Sequence, residues 1–160
     1  MLWVRRIAGE AWCTVRLHEI VGKDRPRFNG RQHRTYTTRK TASAEKTIAS
    51  AWREQVGDSR SGFDGIVAIE VTAEQPLAKS NPKYWAGRAF SGKPDGDNIL
   101  KLVLDALNGL AFADDAQIVE MHMHKLPRTP YGVGAEIQIH VIYYTETYME
   151  ASMRESGMHD

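Results

Sequence analysis

The sequence predicts a small single domain of the α+β class, for three reasons. At 160 residues the chain is long enough to bury a core and short for two domains. Two stretches, 38–56 and 98–108, carry apolar residues at helical spacing. Other stretches alternate apolar and polar residues, as β-strands with one buried face do. We therefore expect one domain over residues 1–146, followed by a polar C-terminal tail over 147–160.

The predicted strands are marked by β-branched and aromatic residues in partial or full alternation. They cover residues 11–21, 67–72, 117–125 and 135–144, with a short additional strand expected at 33–37. The last long strand is the clearest, with five apolar residues on one face: Ala135, Ile137, Ile139, Val141 and Tyr143. Residues 127–134 join the final two long strands, which predicts an antiparallel hairpin with a long loop.

The second predicted helix has a nearly ideal apolar stripe. Starting from Ile99, its apolar residues recur at i, i+3, i+4, i+7, i+8 and i+11. The Asp-Gly-Asp-Asn run before the stripe suits the start of a helix, and Asn108 with Gly109 suits its end. The first predicted helix ends before Gly57. Both helices are expected to pack one face against the core.

The net charge is close to zero but unevenly distributed. Residues 23–40 contain seven Lys and Arg against one Asp, a net +6, so the rest of this +1 chain sums to −5. A basic segment apart from acidic residues suits an enzyme that acts on a phosphate polymer, because phosphates need cations and metals need carboxylates. The alternative is a solvated basic loop, and composition leaves the two open.

The compartment is predicted from what the sequence lacks. Cys13 is the only cysteine, so the chain forms no internal disulfide, and we expect a cytoplasmic protein. The first twelve residues lack the apolar core of a signal peptide. No run approaches the roughly 18 apolar residues of a membrane span, so we expect no membrane partner.

Residues 76–94 predict a long loop, because they contain three prolines, two glycines and no periodicity. Cations and aromatic residues are interleaved along it: Lys79, Lys83, Arg88 and Lys93, with Tyr84, Trp85 and Phe90. Cations beside aromatic rings suit phosphates and exposed bases, so contact with nucleic acid is favoured. The alternative is that the aromatic side chains fix the loop to the domain.

Four aspartates flank the second predicted helix. Asp95 and Asp97 precede it, and Asp114 and Asp115 follow it after a short loop. An Asp at a helix start is usually a cap, and Asp is common in turns. Four such charges repel one another unless a cation lies between them, and carboxylate oxygens are the ligands that Mg²⁺ uses. A shared magnesium site requires the chain to bring Asp115 back toward Asp97, which the sequence does not determine.

Lys101 lies one helical turn after Asp97 and one turn before Asp105. It could form a surface ion pair worth a few tenths of a kcal/mol, or it could stabilise charge developing on a phosphate. His122 and His124 share a strand face with Glu120, but a transition-metal site is disfavoured without a Cys or a third His nearby. We expect the two histidines on a solvated or DNA-facing surface of the sheet.

The segment KPDGDNILKLVLDALNG, followed by ADDAQIVEMHMHK, resembles the core of the RusA family of Holliday junction resolvases. The shared features are an Asp-x-Asp-Asn run, a Lys four residues after the second Asp, an Asp-Ala-Leu helix, and Asp-Asp-x-Gln at the next strand. The upstream RPRFNGRQHRTYTT is similar to the basic segment of the family. The resemblance implies a mixed β-sheet packed by two main helices.

The resemblance also implies a set of site residues. Asp95, Asp97 and Asp115 would bind Mg²⁺, with Mn²⁺ as an alternative, and Lys101 would assist catalysis. Gly96 departs from the family pattern, in which a larger apolar residue is common at this place. The choice of Asp115 over Asp114 rests on the motif alone.

The implied function is that of a crossover junction endodeoxyribonuclease, often encoded by phages or prophages. The family members act as homodimers that resolve four-way branched DNA by paired symmetric nicks, in DNA recombination and repair. The residues expected to contact DNA are all basic: Arg25, Arg27, Arg31, Arg34, Lys79, Lys83, Arg88 and Lys93. The alternatives are a metal nuclease for other branched DNA, and a branched-DNA-binding protein without catalysis.

Overall fold

The computed structural model describes residues 1–23, 27–32, 34–36 and 38–150, with the backbone alone described at 27–29 and 34–36. The strands are β1 (Leu2–Leu17), β2 (Arg27–Asn29), β3 (Arg34–Tyr36), β4 (Ile66–Glu74), β5 (Ile118–Lys125) and β6 (Ala135–Met149). The helices are α1 (Arg39–Gln55) and α2 (Gly96–Leu107). A four-stranded mixed sheet with two helices confirms the predicted α+β class.

The strand order in the main sheet is β1-β6-β4-β5, and a separate two-stranded ribbon joins β2 to β3. Strand β6 is antiparallel to β1 and to β4, while β4 and β5 are parallel. The predicted hairpin of β5 with β6 is therefore wrong, because β4 lies between them. After β5 the chain crosses the end of β4, where Leu126 N donates to Ala73 O (2.9 Å) and Leu77 N donates to Thr129 O (2.8 Å).

The helices supply much of the core. In α2 the predicted stripe is confirmed, since Ile99, Leu102, Val103 and Leu107 are buried. In α1 the start is fixed by Thr38, whose side chain accepts a hydrogen bond from Thr41 N. The buried side chains of α1 are Thr41, Ala44, Ile48 and Trp52. No helix in the described part of the chain is both long enough and apolar enough to cross a membrane.

Strands β1 and β6 are longer than the sequence predicts. Residues 2–6 pair with residues 145–149 in an antiparallel register that runs from Leu2 opposite Met149 to Arg6 opposite Thr145. Strand β4 begins at Ile66, opposite Tyr144, so these two segments extend beyond it as a two-stranded ribbon, here called the terminal ribbon. The predicted tail is therefore wrong for residues 147–149, and residues 151–160 lie outside the described part.

Candidate active site

Asp95 and Asp97 lie at the N-terminal end of α2. Asp95 is the N-cap residue by its extended backbone, but its side chain makes no capping hydrogen bond. Instead its Oδ2 accepts a hydrogen bond from Lys93 Nζ at 2.8 Å. Asp97 is exposed in the first turn and has no ion pair within the described residues. The capping alternative therefore does not account for either carboxylate.

Gly96 and Lys125 place this end of α2 against β5. A Cβ at Gly96 would lie 3.3 Å from Met123 Cγ and 3.8 Å from Lys125 Cδ. The Lys125 ammonium donates to Gly92 O (2.6 Å) and Pro94 O (2.9 Å), so it holds the segment that leads into Asp95. The sequence offered no role for Lys125, because its acceptors are backbone carbonyls some thirty positions earlier in the chain.

Asp114 and Asp115 lie at the other end of α2, around a turn of 3₁₀-helix at Asp115–Gln117. The Asp114 side chain accepts from Ala116 N at 3.1 Å, so Asp114 is the cap of this turn. The Asp115 backbone N–H donates to Asn108 Oδ1 at 3.2 Å, immediately after the last residue of α2. The carboxylate of Asp115 is exposed, so a ligand can reach it.

Gln117 fixes this turn to the sheet. Its Nε2 donates to Phe63 O (2.7 Å) and Gly65 O (2.8 Å), and its Oε1 accepts from Asp114 N (2.7 Å). All of its hydrogen-bonding groups face backbone partners, so the side-chain amide has a defined orientation. Gln117 was identified in the sequence as part of the Asp-Asp-x-Gln motif but was given no role. The signal was present, because Asp-x-x-Gln is the spacing of a capping box.

The two neighbouring carboxyl groups have opposite pKa shifts. The hydrogen bond from Ala116 N, followed by one shared with Asp115, lowers the pKa of Asp114. The pKa of Asp115 is raised by its hydrogen bond to Asp114, then by burial, and then by the negative charges of Asp114 and Asp105. The acidic residues at this end of α2 therefore repel one another, and a bound cation would relieve the repulsion.

The two groups of acids are separated by the length of α2. Asp97 lies in the first turn and Asp115 contacts Asn108 after the last, and eleven residues at about 1.5 Å each span roughly 16 Å. The positions of the acids along β5 agree with this separation. Gly96 lies beside Met123, near the end of β5, whereas Asp115 precedes the start of that strand. Among the described residues no three His, Cys, Asp or Glu side chains lie close enough to hold a metal ion. One chain alone does not bring Asp115 to Asp97.

Lys101 is exposed on the outer face of α2, one turn after Asp97. The surface ion pair with Asp105 does not form, because Asp105 Oδ2 lies 3.2 Å from Lys23 Nζ instead. Lys101 has no ion pair within the part of the chain that the structure describes. Its ammonium therefore remains available beside Asp97.

Lys23 connects the segment after β1 to both α1 and α2. Its side chain is 16% exposed and pairs with Glu45 of α1 and Asp105 of α2. Its backbone N–H donates to Asn98 O at 2.9 Å. Burial opposes the charged ammonium, but the hydrogen bonds to Glu45 and Asp105 outweigh it, so the pKa of Lys23 is raised above 10.5.

A cleft of about 550 Å³ opens beside Asp95 and contains three lysines: Lys23, Lys40 and Lys93. It lies between the start of α1, which contributes Lys40 and Thr41, and the start of α2, which contributes Asn98. Lys40 also pairs with Glu19 at 3.1 Å. Each of the three lysines therefore already has a carboxylate partner, since Lys23 pairs with Glu45 and Asp105 and Lys93 pairs with Asp95.

The loop at 76–94 divides its aromatic residues between two roles. Phe90 is buried and lies beneath Lys125, whose Nζ is 4.0 Å from the ring centroid, so it fixes the loop to the domain. Tyr84 is 83% exposed, and Arg88 stacks on Trp85 at 4.7 Å. Lys79, Lys83 and Arg88 are all exposed on this loop.

The basic segment before α1 is described only in part. Arg31 is exposed. Arg25 and the side chains of Arg27 and Arg34 lie outside the described residues, so their predicted contact with DNA stays a prediction.

The sheet face opposite the helices carries histidine–glutamate pairs. His122 Nε2 lies 2.7 Å from Glu120, and His124 Nε2 lies 3.9 Å from Glu70. Both histidines are about half exposed, as expected for a solvated sheet surface.

A family model described as Endodeoxyribonuclease RusA matches residues 18–140. The chain belongs to this family. The RusA match includes both helices, both groups of acids and Lys101. The terminal ribbon lies outside the matched residues.

This RusA-family chain is also similar to a Bacillus subtilis (strain 168) protein, "Uncharacterized protein YqaN". The two are 39% identical over 69 residues, which is 38% of this chain and 49% of YqaN. The match thus spans about half the length of that relative, and the name of that protein assigns no activity.

Proposed function

We propose that the protein is a metal-dependent endodeoxyribonuclease that resolves four-way DNA junctions by paired symmetric nicks, acting as a homodimer in DNA recombination and repair. One observation carries the proposal. In a RusA-family chain, α2 holds Asp95 and Asp97 at one end and Asp115 at the other, with Lys101 exposed between them. Membership of a family of endodeoxyribonucleases supports the reaction class, and the carboxylates support the metal.

The donor atoms fit a hard divalent cation. They are carboxylate oxygens, which Mg²⁺ and Mn²⁺ accept, and the His–Glu pairs lie on the other side of the sheet. When bound, such an ion would polarise the phosphate and make water a better nucleophile. Asp97 and Asp95 would hold the ion from one side. Lys101 would stabilise the negative charge that develops on the phosphate oxygens.

A two-fold partner would complete each site. Because α2 carries its two groups of acids at opposite ends, rotation about an axis across its middle exchanges those ends. Asp95 and Asp97 of one subunit would then meet Asp115 of the partner subunit. The surface between the ends suits such a contact: Val119 is 56% and Met121 is 50% exposed on β5, and Leu104 is half-buried on α2.

Two such sites in one dimer match the symmetry of a four-way junction. Each site would cut one of two equivalent strands, giving paired nicks. The exposed cations at 76–94 would hold the DNA arms through their phosphates. The predicted contacts Arg25, Arg27, Arg31 and Arg34 would extend this surface.

The first test is cleavage of a synthetic four-way junction in Mg²⁺ and in EDTA. We expect paired nicks in Mg²⁺, none in EDTA, and a loss of about a thousandfold or more in rate for Asp97→Asn with junction binding kept. If flaps or three-way junctions were cut faster than four-way junctions, a nuclease for other branched DNA would replace the proposal. If purified protein bound every branched substrate and cut none in Mg²⁺, it would be a binding protein.

The second test separates shared sites from sites within one chain. Asp97→Asn and Asp115→Asn subunits, each inactive alone, are co-expressed and purified as a mixed dimer. With shared sites, one of the two sites recovers wild-type Asp97 from one subunit and wild-type Asp115 from the other. The mixed dimer should then nick one strand at about half the wild-type rate. With sites within one chain, the mixed dimer would stay inactive.

A further inference from the structure

Two arginines, Arg88 and Arg128, line a cavity of about 280 Å³, here called the arginine cavity. Its described lining residues all belong to the segments 76–94 and 126–134. These two segments contain five Lys and Arg and no Asp or Glu. The arginine cavity therefore has no carboxylate in its described wall, unlike the lysine-lined cleft beside Asp95, in which each lysine has an acidic partner.

The backbone holds the two arginines next to each other. Arg128 N donates to Arg88 O at 2.8 Å, and Gly87 N donates to Arg128 O at 2.8 Å. Gly87 has a φ of 89°, which residues with a side chain rarely adopt, so a glycine is required at this pairing. Each arginine therefore has a defined place in the wall of the arginine cavity.

Each guanidinium group also lies over an aromatic ring. Arg88 Cζ is 4.7 Å from the Trp85 ring centroid, and Arg128 Cζ is 5.2 Å from the Phe90 ring centroid. A guanidinium is planar and its N–H donors point outward from its edge, so a ring against its face leaves those donors free. Arg128 Nη2 donates to Pro76 O at 3.3 Å, and its Nε is buried without a hydrogen-bond partner among the described residues.

The positive charge of the two arginines is not neutralised within the described part of the chain. Arg128 also lines a second cavity that contains Glu19, but the Glu19 carboxylate pairs with Lys40 at 3.1 Å. Arg88 is exposed and forms no ion pair with a described residue. Two guanidinium groups on one wall repel each other, and an anion bound between them would remove that cost.

The arginine cavity adjoins the proposed metal site. The Phe90 ring lies near Arg128 and also near Lys125, whose Nζ is 4.0 Å from the ring centroid and which donates to Gly92 O. Gly92 lines the cavity and precedes Asp95 by three residues, so these two residues are at most about 10 Å apart. Nucleotides in one strand rise by about 3.4 Å each, so a phosphate in the cavity would lie about three nucleotides or fewer from the metal.

We propose that Arg88, Arg128 and Ser91 form a subsite for one backbone phosphate of the DNA strand that enters the active site. The edges of the two guanidinium groups and the Ser91 hydroxyl, which also lines the cavity, would donate to the phosphate oxygens. A phosphate contact carries no sequence information but fixes the register of the strand, so it would place the scissile phosphate at the metal. The subsite rests on the proposed function, because it assumes a DNA strand bound beside Asp95.

The test measures binding to four-way junctions in EDTA, with one phosphate at a time in the cut strand replaced by a neutral methylphosphonate. Wild-type protein should lose about tenfold or more in affinity at one position within about four nucleotides of the cut, because charged hydrogen bonds are lost. In the double variant Arg88→Gln/Arg128→Gln the same methylphosphonate should cost less than about twofold, because its donors are already absent.

Arg53→Gln is the matched control, since Arg53 is exposed in the last turn of α1, and its methylphosphonate profile should match that of wild type. The single variants Arg88→Gln and Arg128→Gln should each make the slope of log K against log salt shallower by about one. Circular dichroism checks the fold of every variant. Because Arg88 is exposed, Arg88→Gln tests the subsite even if the loss of Arg128 unfolds the chain.

The outcomes separate the subsite from the proposed function. If wild type cut the junction and the arginine variants kept its full methylphosphonate profile, the subsite would be excluded and the proposed function would stand. If the profile depended on the arginines but no branched DNA were cut in Mg²⁺, the phosphate contact would stand and the proposed nuclease would fail. If wild type bound no DNA and inorganic phosphate alone raised its melting temperature through Arg128, the ligand would be a free anion and both proposals would fail.

Discussion

Lys23 shows how a single side chain can organise the region around the candidate active site. Its ammonium joins Glu45 of α1 to Asp105 of α2, and its backbone N–H bonds to Asn98 at the start of α2. Because Asp105 forms its ion pair with Lys23, Lys101 has no acidic partner among the described residues and stays available beside Asp97. The sequence placed Lys23 in a basic segment that was expected to bind phosphates, whereas the structure gives it two carboxylate partners.

Lys23→Met should lower the free energy of unfolding by about 2 kcal/mol near neutral pH, because Glu45 and Asp105 lose a partly buried, charged hydrogen-bond donor. The pKa of Lys23 is raised on folding, so its stabilisation is complete below pH 10.5 and is lost as the pH rises beyond that value. Urea unfolding of wild type and variant, near neutral pH and above pH 10.5, measures the difference in the free energy of unfolding. That difference should be smaller at the higher pH.

Lys46→Met is a suitable control for this experiment. Lys46 is exposed on α1 and has no ion pair among the described residues, so its replacement should change the free energy of unfolding by less than about 0.5 kcal/mol. A difference between Lys23→Met and wild type that did not fall above pH 10.5 would contradict the assigned ion pairs.

At the scale of elements, the position of α2 is set by close contacts at both of its ends. Gly22 and Gly96 allow the chain after β1 and strand β5 to approach its first turn, while Gln117 fixes the turn that follows it. A Cβ at Gly22 would lie 2.9 Å from Asn98 Cβ and 3.0 Å from Pro94 Cβ. These contacts join segments far apart in sequence. Secondary-structure propensity and hydrophobic periodicity are local properties, so neither predicts such contacts.

Gly22→Val should therefore destabilise the protein by about 1–3 kcal/mol and displace the start of α2. Because Asp95 and Asp97 belong to that segment, junction cleavage should fall more than the fraction of folded protein does. Gly62→Val is the control, since a Cβ there meets nothing within 4 Å. Thermal unfolding and cleavage rates are compared for the two variants. Equal losses of stability and cleavage in both would show that the close approach of Gly22 to α2 does not position the site.

At the scale of the whole molecule, the acids at the two ends of α2 connect the proposed metal to the proposed dimer. Within one chain, Asp97 and Asp115 are roughly 16 Å apart along the helix axis. A subunit contact that brings such groups together costs free energy through repulsion of like charges, and a divalent cation reverses that cost. Metal binding and association of subunits should therefore be coupled.

Adding Mg²⁺ should shift the monomer–dimer equilibrium toward the dimer. When Mg²⁺ exceeds its own Kd about tenfold, the dimer dissociation constant should fall about a hundredfold, because each of the two sites contributes about tenfold. Removal with EDTA should reverse the shift, and Asp115→Asn should abolish it. Sedimentation velocity over a range of protein concentrations measures the constant in each condition. If the dimer fraction were the same with and without Mg²⁺, the metal would not be shared between subunits. It would then bind within one subunit or not at all.

The amino-acid sequence was sufficient to predict the positions of both helices, the buried stripe of α2 and the acidic motif of the RusA family. Hydrophobic periodicity is a local property, so it reports which face of a segment is buried. Three features became visible only in the folded chain: β4 separates β5 from β6, residues 2–6 and 145–149 form a ribbon, and Asp115 lies far from Asp97. Strand partners and distances between helix ends depend on the path of the whole chain, which no local pattern encodes.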